Sequence, residues 1–155
     1  YFSRVQVCKC NDDYSYSCLK GSHKAGSFAL MRLILEDDGE ACISVAQKDK
    51  RCFLRGTDYE YSWCRVIVMK IDVDKTDIDE DGDNLEVDYL AGAGGDDRET
   101  HLEFPKLKKG QYYVYVELDW NANTSETNFC VTCYGASKST FTRDEKALFT
   151  KEMVL

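Results

Sequence analysis

Between Asp72 and Asp88 the chain concentrates nine carboxylates: Asp72, Asp74, Asp77, Asp79, Glu80, Asp81, Asp83, Glu86 and Asp88, with Lys75 as the one base. The chain holds 28 acids and 20 bases in all, so outside this window 19 of each cancel and the whole net charge of −8 is local. Crowding carboxylates costs about 1 kcal/mol per close exposed pair in water. A hard cation relieves that cost, and Ca²⁺ takes six to eight oxygens from flexible acidic loops. Asp74, Asp77, Asp79, Asp81 and Asp83, joined by Asp37 and Asp38, are therefore the candidate Ca²⁺ ligands; the competing reading is a solvated hairpin tip that serves solubility. Asp77-Ile78-Asp79-Glu80-Asp81-Gly82 copies the first half of an EF-hand loop, but position twelve is Asp88, position eight is Asn84, and the flanks read as strands. An EF-hand is not expected.

Other chemistry is sparse. The two histidines, His23 and His101, fall in a Gly-Ser-rich turn and an alternating strand. A thiol catalyst built from Cys52 or Cys64 with His23 is the one nucleophilic arrangement to weigh. Neither GxSxG, HExxH nor a Walker loop occurs, and no helix signature follows Gly92-Ala93-Gly94-Gly95 to bind phosphate. The eight cysteines (Cys8, Cys10, Cys18, Cys42, Cys52, Cys64, Cys130, Cys133) sit mostly in apolar, strand-like runs and read as reduced core thiols of an intracellular protein. Cys130 and Cys133 point to opposite faces of a strand and cannot share one metal. One sequon, Asn123-Thr124-Ser125, weighs little against this.

The elements that must position these groups are strands. Period-two alternation with β-branched and aromatic residues marks strands near 1–10, 14–20, 27–35, 40–49, 62–73, 84–91, 98–105, 110–120 and 127–135. Turn chemistry separates them at Asn11-Asp12-Asp13, Lys20-Gly21-Ser22, Asp37-Asp38-Gly39, Asp81-Gly82-Asp83, Gly92–Gly95, Lys109-Gly110 and Trp120–Asn123, and 50–61 is a longer loop. The expectation is an all-β antiparallel sandwich of about eight strands over 1–142, followed by a linker or short packed segment at 143–155. With 155 residues, 43% hydrophobic, one domain with a core fits; a pI near 4.8 argues against nucleic-acid binding. No apolar run is long enough for a membrane-spanning helix. A start at Tyr1 without a basic leader reads as a processed piece lacking a signal peptide, cytoplasmic or peripheral to membrane or cytoskeleton.

If successive strands alternate in direction, the loops at 11–13, 36–39 and 74–83 share one end with Lys106, Lys108 and Lys109. The other end receives Lys20, His23, Lys24, Lys50, Arg51 and Arg55, with Asp96 and Asp97 as exceptions. The Lys48, Lys50, Arg51 and Arg55 group is the candidate contact for anionic phospholipid or a protein partner. Tyr14, Tyr16, Tyr59, Tyr61 and Trp63 are candidate aromatic anchors for a protein contact.

Three segments resemble the calpain family in order and spacing: Ala41–Arg51 with its Gln47-Lys48 pair, Leu107-Lys108-Lys109-Gly110-Gln111-Tyr112-Tyr113-Val114, and Asn128-Phe129-Cys130-Val131-Thr132-Cys133-Tyr134-Gly135. They span roughly 36–141 and look most like divergent, protist-like calpains. The resemblance implies the C2-like β-sandwich domain of two four-stranded sheets that follows the protease core. It further implies Ca²⁺ response, phospholipid contact and electrostatic contact with a protease core in the same chain. None of the protease core's Cys, His and Asn motifs occurs, so the resemblance implies a non-catalytic regulatory piece, or a Ca²⁺-independent interaction domain in a calpain-like protein without protease activity. The family's acidic loop corresponds to Glu36, Asp37, Asp38 and Glu40; here it is short, and the larger Asp cluster comes after the next long strand.

Overall fold

The computed structural model describes residues 14–24, 28–71, 87–119 and 126–143. They form nine strands: β1 (Ser15–Lys24), β2 (Phe28–Leu35), β3 (Gly39–Gln47), β4 (Trp63–Ile71), β5 (Val87–Gly95), β6 (Glu99–Leu107), β7 (Gly110–Asp119), β8 (Glu126–Gly135) and β9 (Ser139–Arg143). A single 3₁₀ turn, Lys50–Cys52, interrupts the long β3–β4 loop. The all-β antiparallel sandwich is what the alternation demands, with sheets of order β1-β8-β3-β6 and β5-β4-β7-β2-β9.

The pairing is nested: β1 with β8, β2 with β7, β3 with β6 and β4 with β5, all antiparallel. The first four strands thus run back along the next four like one long hairpin. Folding that hairpin into two layers, joined by β3–β8 and β4–β7 pairs, yields the double Greek key of a jelly roll. β9 then extends one sheet beside β2. Ser17 Oγ and Ser139 Oγ lie 2.6 Å apart, and Arg143 Nη2 donates to the Lys20 carbonyl at 2.7 Å, so β9 also closes the sandwich against β1.

Alternate residues build the core. Met31, Leu33 and Leu35 of β2 meet Val66 and Val68 of β4, Val114 and Val116 of β7, Ile43 and Val45 of β3, and Phe129, Val131 and Cys133 of β8. β7 is buried on both faces: Tyr113 and Tyr115 join Leu30, Ile67 and Met69 in a second cluster on the other side of the five-stranded sheet. This explains why Tyr112–Val116 reads as an unbroken apolar run. The buried Tyr112 hydroxyl donates to the Lys108 carbonyl and anchors the β6–β7 turn.

Three expectations need correction. Lys20-Gly21-Ser22 is no turn but the middle of β1. A Cβ on Gly21 would stand 2.5 Å from the Phe129 ring, so the glycine makes room for core packing rather than for a bend. Gly92–Gly95 likewise lies inside β5, and the turn follows at 96–98. The Trp63 ring covers Gly94, and the Tyr89 hydroxyl covers Gly92. The third is β9, a strand that the alternation pattern did not separate. The expected strand at 1–10 lies outside the described residues, as do 144–155 of the expected linker and the sequon.

Candidate functional site

One rim gathers the β2–β3, β6–β7 and β8–β9 turns. Ile71 and Val87, the strand ends that flank 72–86, emerge there too: Lys70 pairs with Tyr112, Leu35 with Gly110, and Ile71 with Val87. The alternation argument therefore holds for 36–39 and for Lys108 and Lys109. Lys108 Nζ contacts Asp38 Oδ2 at 2.9 Å and the Lys109 backbone N–H donates to Asp38 Oδ1 at 2.9 Å. The Lys108 ammonium and then the Lys109 amide hold the Asp38 carboxyl below the usual carboxylate range. Lys138 pairs with Glu36 at 3.2 Å, and the Asp37 N–H donates to the buried Ser137 hydroxyl at 2.9 Å.

Both Asp38 oxygens are engaged by lysine groups, and among the described residues no three His, Cys, Asp or Glu side chains converge. Asp74, Asp77, Asp79, Asp81 and Asp83 lie outside the described residues. The described flanks of that segment, β4 and β5, are strands, so the helices of an EF-hand are not there.

The opposite rim is organised by the β3–β4 loop. Buried Gln47 clamps it: Nε2 donates to the Ser62 carbonyl at 2.6 Å and Oε1 accepts the Ser62 N–H at 2.9 Å. Within the loop, Asp49 accepts from the Arg51 backbone N–H at 2.8 Å and binds the Arg51 guanidinium at 2.6 Å and that of Arg98 at 3.0 Å. The Arg51 side chain and amide hold the Asp49 carboxyl well below its ordinary value. Lys50 pairs with Glu60 and sits 4.6 Å over the Tyr61 ring; Lys48 sits 4.5 Å over Phe53. The basic group expected here is assembled, but Lys50 and Arg51 are already met by acids, while Arg55 is exposed on the loop. Asp49, Glu60 and Arg98 were not expected to take part; Asp49-Lys50-Arg51 at the start of a loop was the local signal for a capped turn.

The aromatic anchors divide. Tyr16 and Trp63 are exposed at 63% and 39%. Tyr59 is buried, stacked on Phe53 at 4.1 Å, and so offers no surface contact. Sequence reasoning missed Tyr89, which is 67% exposed and faces Trp63 across a groove of about 310 Å³ floored by Gly92 and Gly94. Reading those glycines as a turn concealed it.

Cys64 and Cys133 are core thiols, pushed up to about 11 by burial. Cys64 is thus the opposite of an activated nucleophile. Cys18 and Cys52 are exposed and Cys42 and Cys130 half-buried, because their positions face outward or lie on the loop; the expectation of core thiols fails for these four. Cys130 and Cys133 do face opposite sides of β8, and His101 is exposed on β6. The side chain of His23 lies outside what is described.

The raised thiols set an alkaline limit. Their ordinary value is 9.0, so unfolding lets them ionise two units earlier. Their contribution to stability is complete below pH 9 and declines as pH climbs toward 11, at on the order of 1 kcal/mol per thiol per pH unit. Burial, and then the Glu117 carboxylate, lifts the Tyr115 phenol to about 12, which prolongs the decline. Urea melts between pH 8 and pH 11 should show falling stability above pH 9; a level profile contradicts it.

No protein-family model matches the chain, and no curated protein matches it.

Proposed function

We propose that this chain is a non-catalytic regulatory module of the calpain C2-like kind, working through electrostatic contacts at one rim with a neighbouring protease core or an anionic phospholipid surface. The observation that supports it is positional. In this all-β antiparallel sandwich, the strand ends flanking the −8 segment emerge beside Asp38, Glu36 and their lysines. A rim of that kind can exchange internal ion pairs for a partner's charges, at modest cost because exposed pairs are weak.

In one form, Ca²⁺ is held by residues of the 74–83 segment. In the other, the contact needs no Ca²⁺, as in a structural or interaction domain of a calpain-like protein without protease activity. A specific observation favours the second: Asp38 and Glu36 already have lysine partners, so this part of the rim has little unrelieved repulsion for a cation to remove.

Calorimetric titration of the chain with CaCl₂ at physiological salt separates the two. Heat together with a raised melting temperature supports the Ca²⁺ form; neither signal leaves the Ca²⁺-independent one. The regulatory role itself is tested on the transcript upstream of Tyr1. A Cys, His and Asn protease core, or a degenerate copy of one, should precede it, and an unrelated upstream sequence overturns the reading.

A further inference from the structure

On the outer face of the four-stranded sheet, Cys18 of β1 and Cys130 of β8 are diagonal neighbours. Cys18 stands opposite Thr132, and Lys20 opposite Cys130. Residues two apart share a face, so this register puts both thiols side by side on the same outer surface. A second observation concerns what surrounds them. Cys130 lines an open groove of about 600 Å³ whose charged lining is cationic: Lys20, Lys48 and Arg143, with Asn128 beside them. Arg143 is fixed there by its bond to the Lys20 carbonyl.

We propose that Cys18 and Cys130 are a redox-modifiable dithiol, oxidised to an internal disulfide by anionic low-molecular-weight disulfides that the Lys20–Lys48–Arg143 groove attracts. Oxidised glutathione, whose carboxylates match the groove's charge, represents the class. The exposed Cys18 thiol loses its proton to water, and its thiolate attacks one glutathione sulfur. The glutathione S–S bond breaks, a first glutathione thiolate leaves and is protonated, and a mixed disulfide remains on Cys18. The Cys130 thiolate then attacks the Cys18 sulfur and expels the second glutathione. Two protein thiols are oxidised while one glutathione disulfide is reduced to two thiols. Burial, and then the neighbouring Cys18, raise the Cys130 thiol above its ordinary value, and Lys20 only partly offsets them; Cys130 therefore acts as the resolving thiol and the exposed Cys18 as the first to react. Among the described residues β1 is an edge strand of its sheet, paired there with β8, so it can make the small shift that disulfide geometry asks of a diagonal pair.

The exposed thiol of Cys52 serves as the internal control, since it lies on the loop away from this pair. Treating the whole chain with oxidised glutathione and mapping peptides by mass spectrometry should give a Cys18–Cys130 cross-link in excess over glutathione adducts at Cys52. Cys130→Ser should instead retain a stable glutathione adduct on Cys18. Lys48→Gln, which removes a groove charge without touching the thiol pair, should slow oxidation by oxidised glutathione several-fold, yet leave oxidation by the uncharged bis(2-hydroxyethyl) disulfide unchanged. Absence of the cross-link, or adducts spread equally over Cys18 and Cys52, overturns the dithiol. An unaltered glutathione rate in the lysine variant overturns the role of the groove.

Discussion

Replacing Gln47 by Leu should lower stability by about 2–5 kcal/mol, because it strands two buried backbone groups at once at about 1–3 kcal/mol each. Gln47 is 4% exposed and Ser62 2%, so water cannot stand in for the lost partners. Leucine keeps the volume and apolar fit, which isolates the hydrogen bonds as the cause. For a chain of this length the loss corresponds to a melting temperature lower by roughly 5–15 °C. The damage should be local first. The Ser62 amide should exchange with deuterium far faster in the variant, as should the Cys52 and Phe53 amides of the 3₁₀ turn, while the β7 amides stay protected. Gln47→Glu separates the two bonds: its carboxylate can accept the Ser62 N–H but cannot donate to the Ser62 carbonyl, and it buries a charge. Equal melting temperatures for Gln47→Leu and the parent chain would show that the clamp does not hold the loop.

Gly135→Ala should be comparably severe for a different reason. A Cβ at Gly135 would stand 2.2 Å from the Glu40 carbonyl oxygen and 2.9 Å from the Ala41 Cα. These are backbone atoms of β3 and cannot swing aside like a side chain. The register of β3 against β6 shifts between Gly39 and Ala41, and the Glu40 carbonyl accepts the Ala136 N–H at 3.1 Å. A bulge therefore presses this carbonyl onto β8, and only a residue without Cβ lets it arrive. Relieving the clash must part β3 from β8 at the rim, at about 3 kcal/mol or slightly more, the upper part of the range for overpacked sites. Gly95→Ala provides the contrast, because its Cβ would meet only Thr100 Oγ1 at 4.0 Å, an ordinary contact. Thermal melts of the two variants side by side should separate them clearly; similar melting temperatures would mean the bulge yields without cost.

Both residues lie in segments from which the proposed calpain kinship is argued, Gln47 in the Gln-Lys pair and Gly135 at the end of the Asn-Phe-Cys segment. In this structure each serves architecture: one fastens the β3–β4 loop and the other admits a bulged strand. Such motifs support a reading of fold more directly than one of activity. The proposed calpain kinship is accordingly for the upstream transcript to test, and these residues do not carry it.

Strand identity was legible because one face of each strand is buried, which imposes alternation: Met31, Leu33 and Leu35, or Ile43 and Val45, declare themselves by spacing alone. The shared rim of 36–39 and 106–109 followed from counting strands, since antiparallel neighbours reverse direction at every turn. The charge of the −8 segment was likewise plain from composition. Glycine was where reading failed. Gly21, Gly92 and Gly94 sit in turn-like composition, yet each occupies a strand beneath an aromatic side chain, and a glycine that accommodates Phe129 or Trp63 carries no local mark distinguishing it from one that bends the chain. The thiols show the same limit. Alternation puts Cys130 and Cys133 on opposite faces, but which face is the core depends on what β8 pairs with. What the sequence by itself determined was the class of fold and which turns share an end, because both follow from local periodicity and parity. Only the tertiary structure decided that Asp38 and Glu36 have lysine partners and that Cys18 lies diagonal to Cys130, because those placements join residues far apart in the chain, through a nested register that no local pattern encodes.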